Sequence, residues 1–192
     1  LALTATRPGG AAVRAAVLRA APKPRNPPQD LRRNVEQLGA RFDGRLRLVT
    51  VDRKRGSRVV FGAPGAPEAG VTEAVLASCA VPWIFSPVEI GGREYVDGGV
   101  WSMSNLDVAP VGRGAEVLAL LPIFGHGGPF RLAAQAGGLA ELQVLRARGV
   151  RTRIVAPDAA AAEVMGPDLM NARRRSSVFD AARAQGRSLA GV

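Results

Sequence analysis

Two Gly-Gly pairs lie close together in the chain, and they constrain its fold more than any other feature. The first pair, Gly91-Gly92, is flanked by alternating residues at 88–90 and 93–96. A two-residue glycine loop between alternating segments is typical of a tight β-hairpin, because such a turn needs positive φ angles. The sequence therefore predicts an antiparallel hairpin, with Asp97 at the end of its second strand.

The second pair, Gly98-Gly99, directly follows Asp97. Glycine serves where the backbone turns with positive φ or comes close to another group, so this pair predicts close packing beside Asp97. Active-site residues often lie at such strand ends, where loops meet a rigid sheet. Asp-Gly is also a common tight-turn dipeptide, so a plain turn remains the alternative to a functional carboxylate.

The wider passage from Leu76 to Val108 resembles the patatin-like phospholipase family. It contains Ala-Ser-Cys-Ala-Val-Pro at 77–82, an aromatic-proline segment at 83–87, the hairpin, Val-Asp-Gly-Gly-Val at 96–100, and Asn105. In that family an Asp-Gly-Gly or Asp-Gly-Ala motif supplies the aspartate of a Ser-Asp catalytic dyad. The resemblance, which extends over roughly residues 45–190, implies that Asp97 is the catalytic base, that Gly98 and Gly99 support it, and that Asn105 lies nearby.

The nucleophile of the dyad is missing from the sequence. In the family it stands in a Gly-x-Ser-x-Gly elbow, downstream of a glycine-rich loop that forms the oxyanion hole, and the 192 residues contain no such elbow. Ser78 lacks the flanking glycines and is interpreted as a packing residue. Since the first residue is leucine, we expect an N-terminally truncated chain that holds only the aspartate and is inactive by itself.

Strands that alternate with helices predict an α/β layered fold with a mainly parallel sheet, and the resemblance implies the three-layer patatin-like form of it. Residues 1–44 are predicted to form a helical and proline-rich segment, and the resemblance implies that residues 45–192 form the C-terminal part of a patatin-like domain. The predicted strands are 46–51, 58–61, 116–121 and 151–155, besides the hairpin, and the strand at 116–121 is expected to be buried. The predicted helices are 10–21, 30–39 with Asp30 as its cap, 71–79 with Thr72 as its cap, 130–147, and 170–189. The helix at 130–147 is expected to be amphipathic, with an apolar face formed by Leu132, Leu139, Leu142 and Leu145.

The formal net charge of +10 comes mainly from arginine. The longest basic runs are the triplets 53–55 and 173–175, which we expect to be solvated. A basic surface attracts anionic membrane headgroups or nucleic acid. Clustered aromatics and a zinc signature are absent from the sequence, so no specific nucleic-acid partner is expected. Without an apolar run of about 18 residues or signal-peptide features, a cytoplasmic, membrane-peripheral location is predicted.

The sequence shows no pattern of residues that would hold a metal or a cofactor, and we expect neither to be bound. A lone cysteine, Cys79, and a lone histidine, His126, argue against cysteine- or histidine-based zinc sites, and the carboxylates lack metal-ligand spacing. The loop around His126 is predicted to be flexible. Trp83, Phe85 and Tyr95 are candidates for the apolar walls of a pocket around Asp97, although each is also a typical packing residue.

Two functions fit these observations. The first is part of a serine acyl hydrolase that uses a Ser-Asp dyad on a lipid or other small ester. The second is a catalytically inactive domain of the same fold that binds a lipid or a protein partner.

Overall fold

The computed structural model describes residues 10–24, 29–124, 128–169 and 171–191. The chain divides into two compact units, Leu1–Pro110 and Val111–Val192. The helices are α1 (Gly10–Ala20), α2 (Gln29–Gln37), α3 (Val71–Ser78), α4 (Gly128–Ala147), α5 (Ala159–Met165) and α6 (Arg175–Ala190). The strands are β1 (Leu48–Asp52), β2 (Arg58–Phe61), β3 (Val88–Ile90), β4 (Arg93–Asp97), β5 (Glu116–Leu120) and β6 (Arg151–Val155). None of the described helices is both long and apolar enough to cross a lipid bilayer.

The first unit contains a four-stranded sheet in the order β2-β1-β4-β3. All three pairings in this sheet are antiparallel. The mixture of helices and strands agrees with an α/β fold, but the prediction of a mainly parallel sheet is wrong for this unit. The connections explain two of these pairings, because the β1–β2 and β3–β4 links span only residues 53–57 and 91–92, and links this short join antiparallel strands only.

The two faces of this sheet are covered by different helices. Successive side chains of a strand point to opposite faces, so Tyr95 and Val96 of β4 belong to separate clusters. Tyr95 is fully buried with Phe61 and with alanines of α3, and the two aromatic rings meet edge to face at 5.2 Å. Val96 packs with Val51 of β1 and Leu18 of α1. The sheet therefore lies between α1 and α3.

Arg53 links the end of α1 to the hairpin. The prediction that its charge is solvated is wrong. Its side chain is only 12% exposed and contacts Glu94 at 3.1 Å. It also donates a hydrogen bond to the backbone carbonyl of Ala21 at 3.1 Å. Lys23 pairs with the same glutamate. The first basic triplet thus contributes to packing through its first member, while the other two residues are exposed.

The second unit contains a two-stranded parallel sheet of β5 and β6, with Glu116 opposite Arg151 and Leu120 opposite Val155. Helix α4 packs against β6. The prediction of a buried strand is wrong for β5, because Leu118 and Leu120 are 56% and 65% exposed. An apolar run identifies a strand, but it does not determine how much of each side chain is covered.

Helix α4 confirms the predicted helix in this region but not its predicted apolar face. Leu142 and Leu145 are fully buried, whereas Leu132 and Leu139 are 63% and 42% exposed. At 3.6 residues per turn, Leu132 lies about 140° around the helix axis from Leu145. Leucines at irregular helical intervals therefore divide between the two sides of the helix.

Several element boundaries differ from the predicted ones. Helix α3 is capped by Gly70 instead of Thr72, and Asp30 lies within α2 instead of preceding it. Helix α5 was not predicted, although Asp158 caps it by accepting a hydrogen bond from the Ala161 amide. Helix α6 begins only at Arg175, after a short 3-10 turn. Met170, at the start of the predicted helix, lies outside the described residues.

Candidate active site

Asp97 is the last residue of β4, as the hairpin predicted. It lies opposite Thr50 of β1. Its backbone N–H donates a hydrogen bond to the carbonyl oxygen of Ala80, in the loop after α3, at 3.0 Å. The backbone of Asp97 is therefore fixed between a central strand and the end of a helix.

The Asp97 carboxylate is held by the turn that follows it. Its Oδ1 accepts a hydrogen bond from the Gly99 N–H at 2.6 Å and so caps the 3-10 helix Gly98–Val100. Among the described residues, no group donates a hydrogen bond to Oδ2. Burial raises the pKa of this carboxyl above its ordinary value, and the Gly99 hydrogen bond opposes that rise. One oxygen is thus anchored, while the other remains available to a further group.

Gly98 and Gly99 are required by space and not by backbone angle, since neither has a positive φ. A Cβ on Gly98 would overlap the carbonyl oxygen of Val49 and lie 2.9 Å from its carbonyl carbon. A Cβ on Gly99 would lie 2.8 Å from Asp97 Oδ1. The predicted close packing beside Asp97 is confirmed, and it involves the backbone of β1.

Asn105 also contacts the turn that follows Asp97. Its Nδ2 donates hydrogen bonds to the carbonyl oxygens of Gly98 at 3.2 Å and Ser102 at 2.5 Å. Its backbone has φ 51°, in the left-handed region that asparagine tolerates better than most residues. The expected proximity of Asn105 to Asp97-Gly98-Gly99 is confirmed.

Arg58 also belongs to this region, although no sequence pattern indicated it. Its guanidinium forms two parallel hydrogen bonds of 2.7 Å to the carboxylate of Asp107 and a longer one of 3.3 Å to Asn105 Oδ1. The guanidinium also lies 5.1 Å from the centre of the Trp101 ring. No local signal reveals these contacts, because 47 residues separate Arg58 from Asn105.

The residues at the end of α3 show no sign of nucleophile activation. The hydroxyl of Ser78 donates to the carbonyl oxygen of Val49 at 2.9 Å, in keeping with a packing role. Desolvation raises the pKa of the neighbouring Cys79 thiol, and the negative charge of Asp97 adds to the rise. A raised pKa disfavours the reactive thiolate.

The three aromatic residues proposed as pocket walls have different environments. Tyr95 is fully buried and belongs to the core. Trp83 is 49% exposed and has φ 70°, which is unusual for a bulky side chain. Phe85 is partly buried. Of the three, Trp83 offers the largest accessible apolar surface in the loop that leads away from Ala80.

In the parts of the chain that the structure describes, no group of three or more histidine, cysteine or carboxylate side chains is arranged to hold a metal ion. His126 and its glycine-rich loop lie outside the described residues.

A comparison with protein families identifies residues 11–110 as a patatin-like phospholipase domain, which is slightly more than half of the 192 residues. The chain belongs to the patatin-like phospholipase family. The matched range includes the hairpin, Asp97-Gly98-Gly99 and Asn105, so the resemblance seen in the sequence is confirmed. The match begins upstream of residue 45 and stops at the end of the first unit. A comparison with curated proteins gave no significant match.

Proposed function

We propose that Asp97 is the general base of a Ser-Asp acyl hydrolase that cleaves lipid esters. The observation that carries this proposal is the carboxylate itself, which lies at a strand end within the patatin-like domain. One of its oxygens is anchored by Gly99, and its pKa is raised by burial. A raised pKa makes a carboxylate a stronger base, and a fixed carboxylate is already oriented for proton transfer.

In the proposed reaction Oδ2 of Asp97 takes the proton of a serine hydroxyl as the serine oxygen attacks the ester carbonyl carbon. The tetrahedral intermediate collapses to an acyl-serine, and the alcohol leaves with the proton held by Asp97. Water then attacks the acyl-serine and gives a proton to Asp97. When this second tetrahedral intermediate collapses, Asp97 returns the proton to the serine oxygen, which releases the carboxylic acid and restores both the serine and the carboxylate. Throughout both steps the Gly99 N–H keeps Oδ1 in place.

The proposal requires a serine from outside these 192 residues, because they contain no Gly-x-Ser-x-Gly elbow. Ser78 does not fill this role, since its hydroxyl is bound to Val49. The absence of the elbow is also the observation that favours the second candidate, a domain of the same family that binds lipid without hydrolysing it.

A lipid substrate agrees with the family and with the surface near Asp97. Trp83 and Ile84 are 49% and 44% exposed, and they follow closely on Ala80, the residue that binds the Asp97 amide. Tryptophan is favoured where an apolar surface meets water, and a net charge of +10 attracts anionic headgroups. We therefore extend the proposal to peripheral contact with an anionic membrane surface.

Fluorophosphonate labelling of the protein from its native source tests the catalytic proposal. If it holds, mass spectrometry finds the label on a serine outside residues 1–192, and Asp97→Asn slows labelling by about a hundredfold or more. The matched control is Asp180→Asn, which alters an exposed aspartate of α6 and leaves the rate unchanged.

The binding-domain candidate makes a different prediction in the same experiment. The native protein then takes no label, yet it cosediments with vesicles that contain anionic phospholipid and not with neutral vesicles. Labelling that proceeds at the wild-type rate in Asp97→Asn contradicts the role given to Asp97.

A further inference from the structure

Asp97 is fixed by a set of polar contacts that extends well beyond its own turn. The carbonyl oxygen of Gly98 accepts backbone hydrogen bonds from Trp101 and Ser102, at 3.0 and 3.1 Å, and the side-chain bond from Asn105 at 3.2 Å. Gly98 separates Asp97 from Gly99, whose N–H binds the carboxylate. The orientation of the Gly98 peptide therefore controls whether that N–H points at Oδ1.

Asn105 is in turn held by Arg58. The Arg58 guanidinium donates to Asn105 Oδ1 at 3.3 Å, and this contact orients the amide so that Nδ2 faces Gly98. The guanidinium cannot swing away freely, because it forms a bidentate pair with Asp107 at 2.7 Å and such pairs have fixed planar geometry. The side chains of Arg58 and Asp107 are only 18% and 24% exposed, so this pair is shielded from much of the solvent.

Trp101 supports the arrangement from the side. Two guanidinium groups approach its ring, with Arg14 of α1 at 4.1 Å and Arg58 at 5.1 Å from the ring centre. Arg14 is buried and donates to the Gly56 carbonyl oxygen at 2.8 Å. Contacts of this kind between arginine and tryptophan are attractive, and here they tie the residue after the 3-10 turn to both α1 and β2.

We infer that Arg58 and Asn105 are positioning residues for Asp97, with Arg58 acting through Asn105. This inference rests on the proposed role of Asp97 as the base. Arg58 acts through geometry and not through its charge, because burial and the Gly99 hydrogen bond are the causes that shift the Asp97 pKa. Loss of either positioning residue loosens the Gly98 peptide and so weakens the hydrogen bond from the Gly99 N–H to Asp97 Oδ1. Because this hydrogen bond lowers the Asp97 pKa, that pKa then rises.

Two variants of the full chain test the inference by nuclear magnetic resonance. Arg58→Met removes the guanidinium but keeps a long apolar stem beside Trp101. Asn105→Gly removes the side chain but retains a residue that accepts the positive φ of 51°. The measurements are the Asp97 carboxyl titration and the exchange rate of the Gly99 amide. We expect the pKa of Asp97 to rise in both variants and the amide to exchange about three to ten times faster.

The matched control is Arg93→Met, which breaks another ion pair of the same sheet, the 2.6 Å contact between Arg93 and Asp52. It should leave the Asp97 titration and Gly99 exchange as in the wild type. Wild-type values in both test variants overturn the inference, as does an equal change in the control, which would indicate general loosening. If the Asn105→Gly variant does not fold, the Arg58→Met variant alone tests the inference. It should fold, because Arg58 is a partly exposed strand residue.

The two proposals fail separately. A raised Asp97 pKa in the positioning variants supports the positioning network even if Asp97→Asn leaves fluorophosphonate labelling intact, a result that removes only the catalytic proposal. An unchanged Asp97 titration together with lost labelling in Asp97→Asn supports the base and overturns the positioning network.

Discussion

One Gly-Gly pair forms the turn of the β3–β4 hairpin, and the other forms the turn after Asp97. The two pairs have the same sequence, but glycine is needed in them for different physical reasons. Gly91 and Gly92 have φ angles of 56° and 71°, and a Cβ on either would meet no atom within 4 Å. Gly98 and Gly99 have no positive φ, yet a Cβ on each would collide with a neighbour. The first pair is needed because its backbone adopts positive φ angles. The second pair is needed because there is no room for a Cβ atom.

The difference supports the proposal that Gly98 and Gly99 belong to a functional site. An exposed hairpin turn satisfies local geometry alone, and any residue that adopts positive φ can replace its glycines. The turn after Asp97 instead presses the backbone against β1 and leaves the carboxylate partly buried. A close approach that excludes even a methyl group, next to a carboxylate with a raised pKa, is typical of a functional position.

The largest expected effect comes from Gly98→Ala. Its new methyl group would overlap the Val49 carbonyl, which belongs to a central strand and cannot move aside easily. We expect the free energy of unfolding to fall by about 2 to 3 kcal/mol, as for overpacked interior sites. Chemical denaturation measures this loss. Gly91→Ala is the comparison, and its loss should be about 1 kcal/mol, from backbone strain alone. Equal losses in the two variants would contradict the distinction between the pairs.

A smaller, pH-dependent effect is expected from Asp97→Asn. Because burial raises the folded-state pKa of Asp97 above its ordinary value of 3.8, the folded state binds more protons than the unfolded state between these two values. The stability contributed by this group is therefore present at low pH and is lost as the pH rises through the folded pKa. Asparagine does not titrate, and its side-chain oxygen can still accept the Gly99 hydrogen bond.

Denaturation curves measured from pH 4 upward show whether the contribution of Asp97 to the free energy of unfolding falls or rises with pH. The free energy of unfolding of the wild type minus that of Asp97→Asn should decrease from pH 4 upward and become constant above the folded pKa. The matched control is the Asp180→Asn variant, which alters an exposed aspartate of α6. A difference that grows with pH would show that the Gly99 bond stabilises the carboxylate more than burial destabilises it.

The features that the sequence predicted well are those whose causes are local. The hairpin follows from two glycines and the alternation around them, and the position of Asp97 follows from the hairpin. Helix α1 and strands β2 and β6 were predicted for similar reasons, since each has a clear pattern bounded by turn residues. The family resemblance came from the same passage, in which most of the informative residues are close neighbours in the chain.

The features that the sequence did not reveal depend on contacts between distant residues. Arg58 reaches Asn105 and Asp107 only because β2 lies beside β1 and β1 beside β4. The exposure of Leu118 depends on what covers β5, which its own residues do not specify. The close approach of Gly98 to Val49 depends on the strand pairing, so the sequence predicted that something packs there but not which atoms.

The smallest effect is expected at the hairpin, and it completes the comparison of the two pairs. Asn-Gly is the most favourable sequence for a two-residue turn with positive φ angles, so Gly91→Asn should change the free energy of unfolding by less than about 0.5 kcal/mol. The same substitution at Gly98 should be at least as harmful as alanine, because Gly98 has no positive φ for asparagine to accommodate and the new Cβ still meets the Val49 carbonyl. Thermal and chemical denaturation of the two variants, measured side by side, separates the requirements. Tolerance of asparagine at both positions would mean that the turn after Asp97 adjusts freely, and a carboxylate in such a turn would not be held for catalysis.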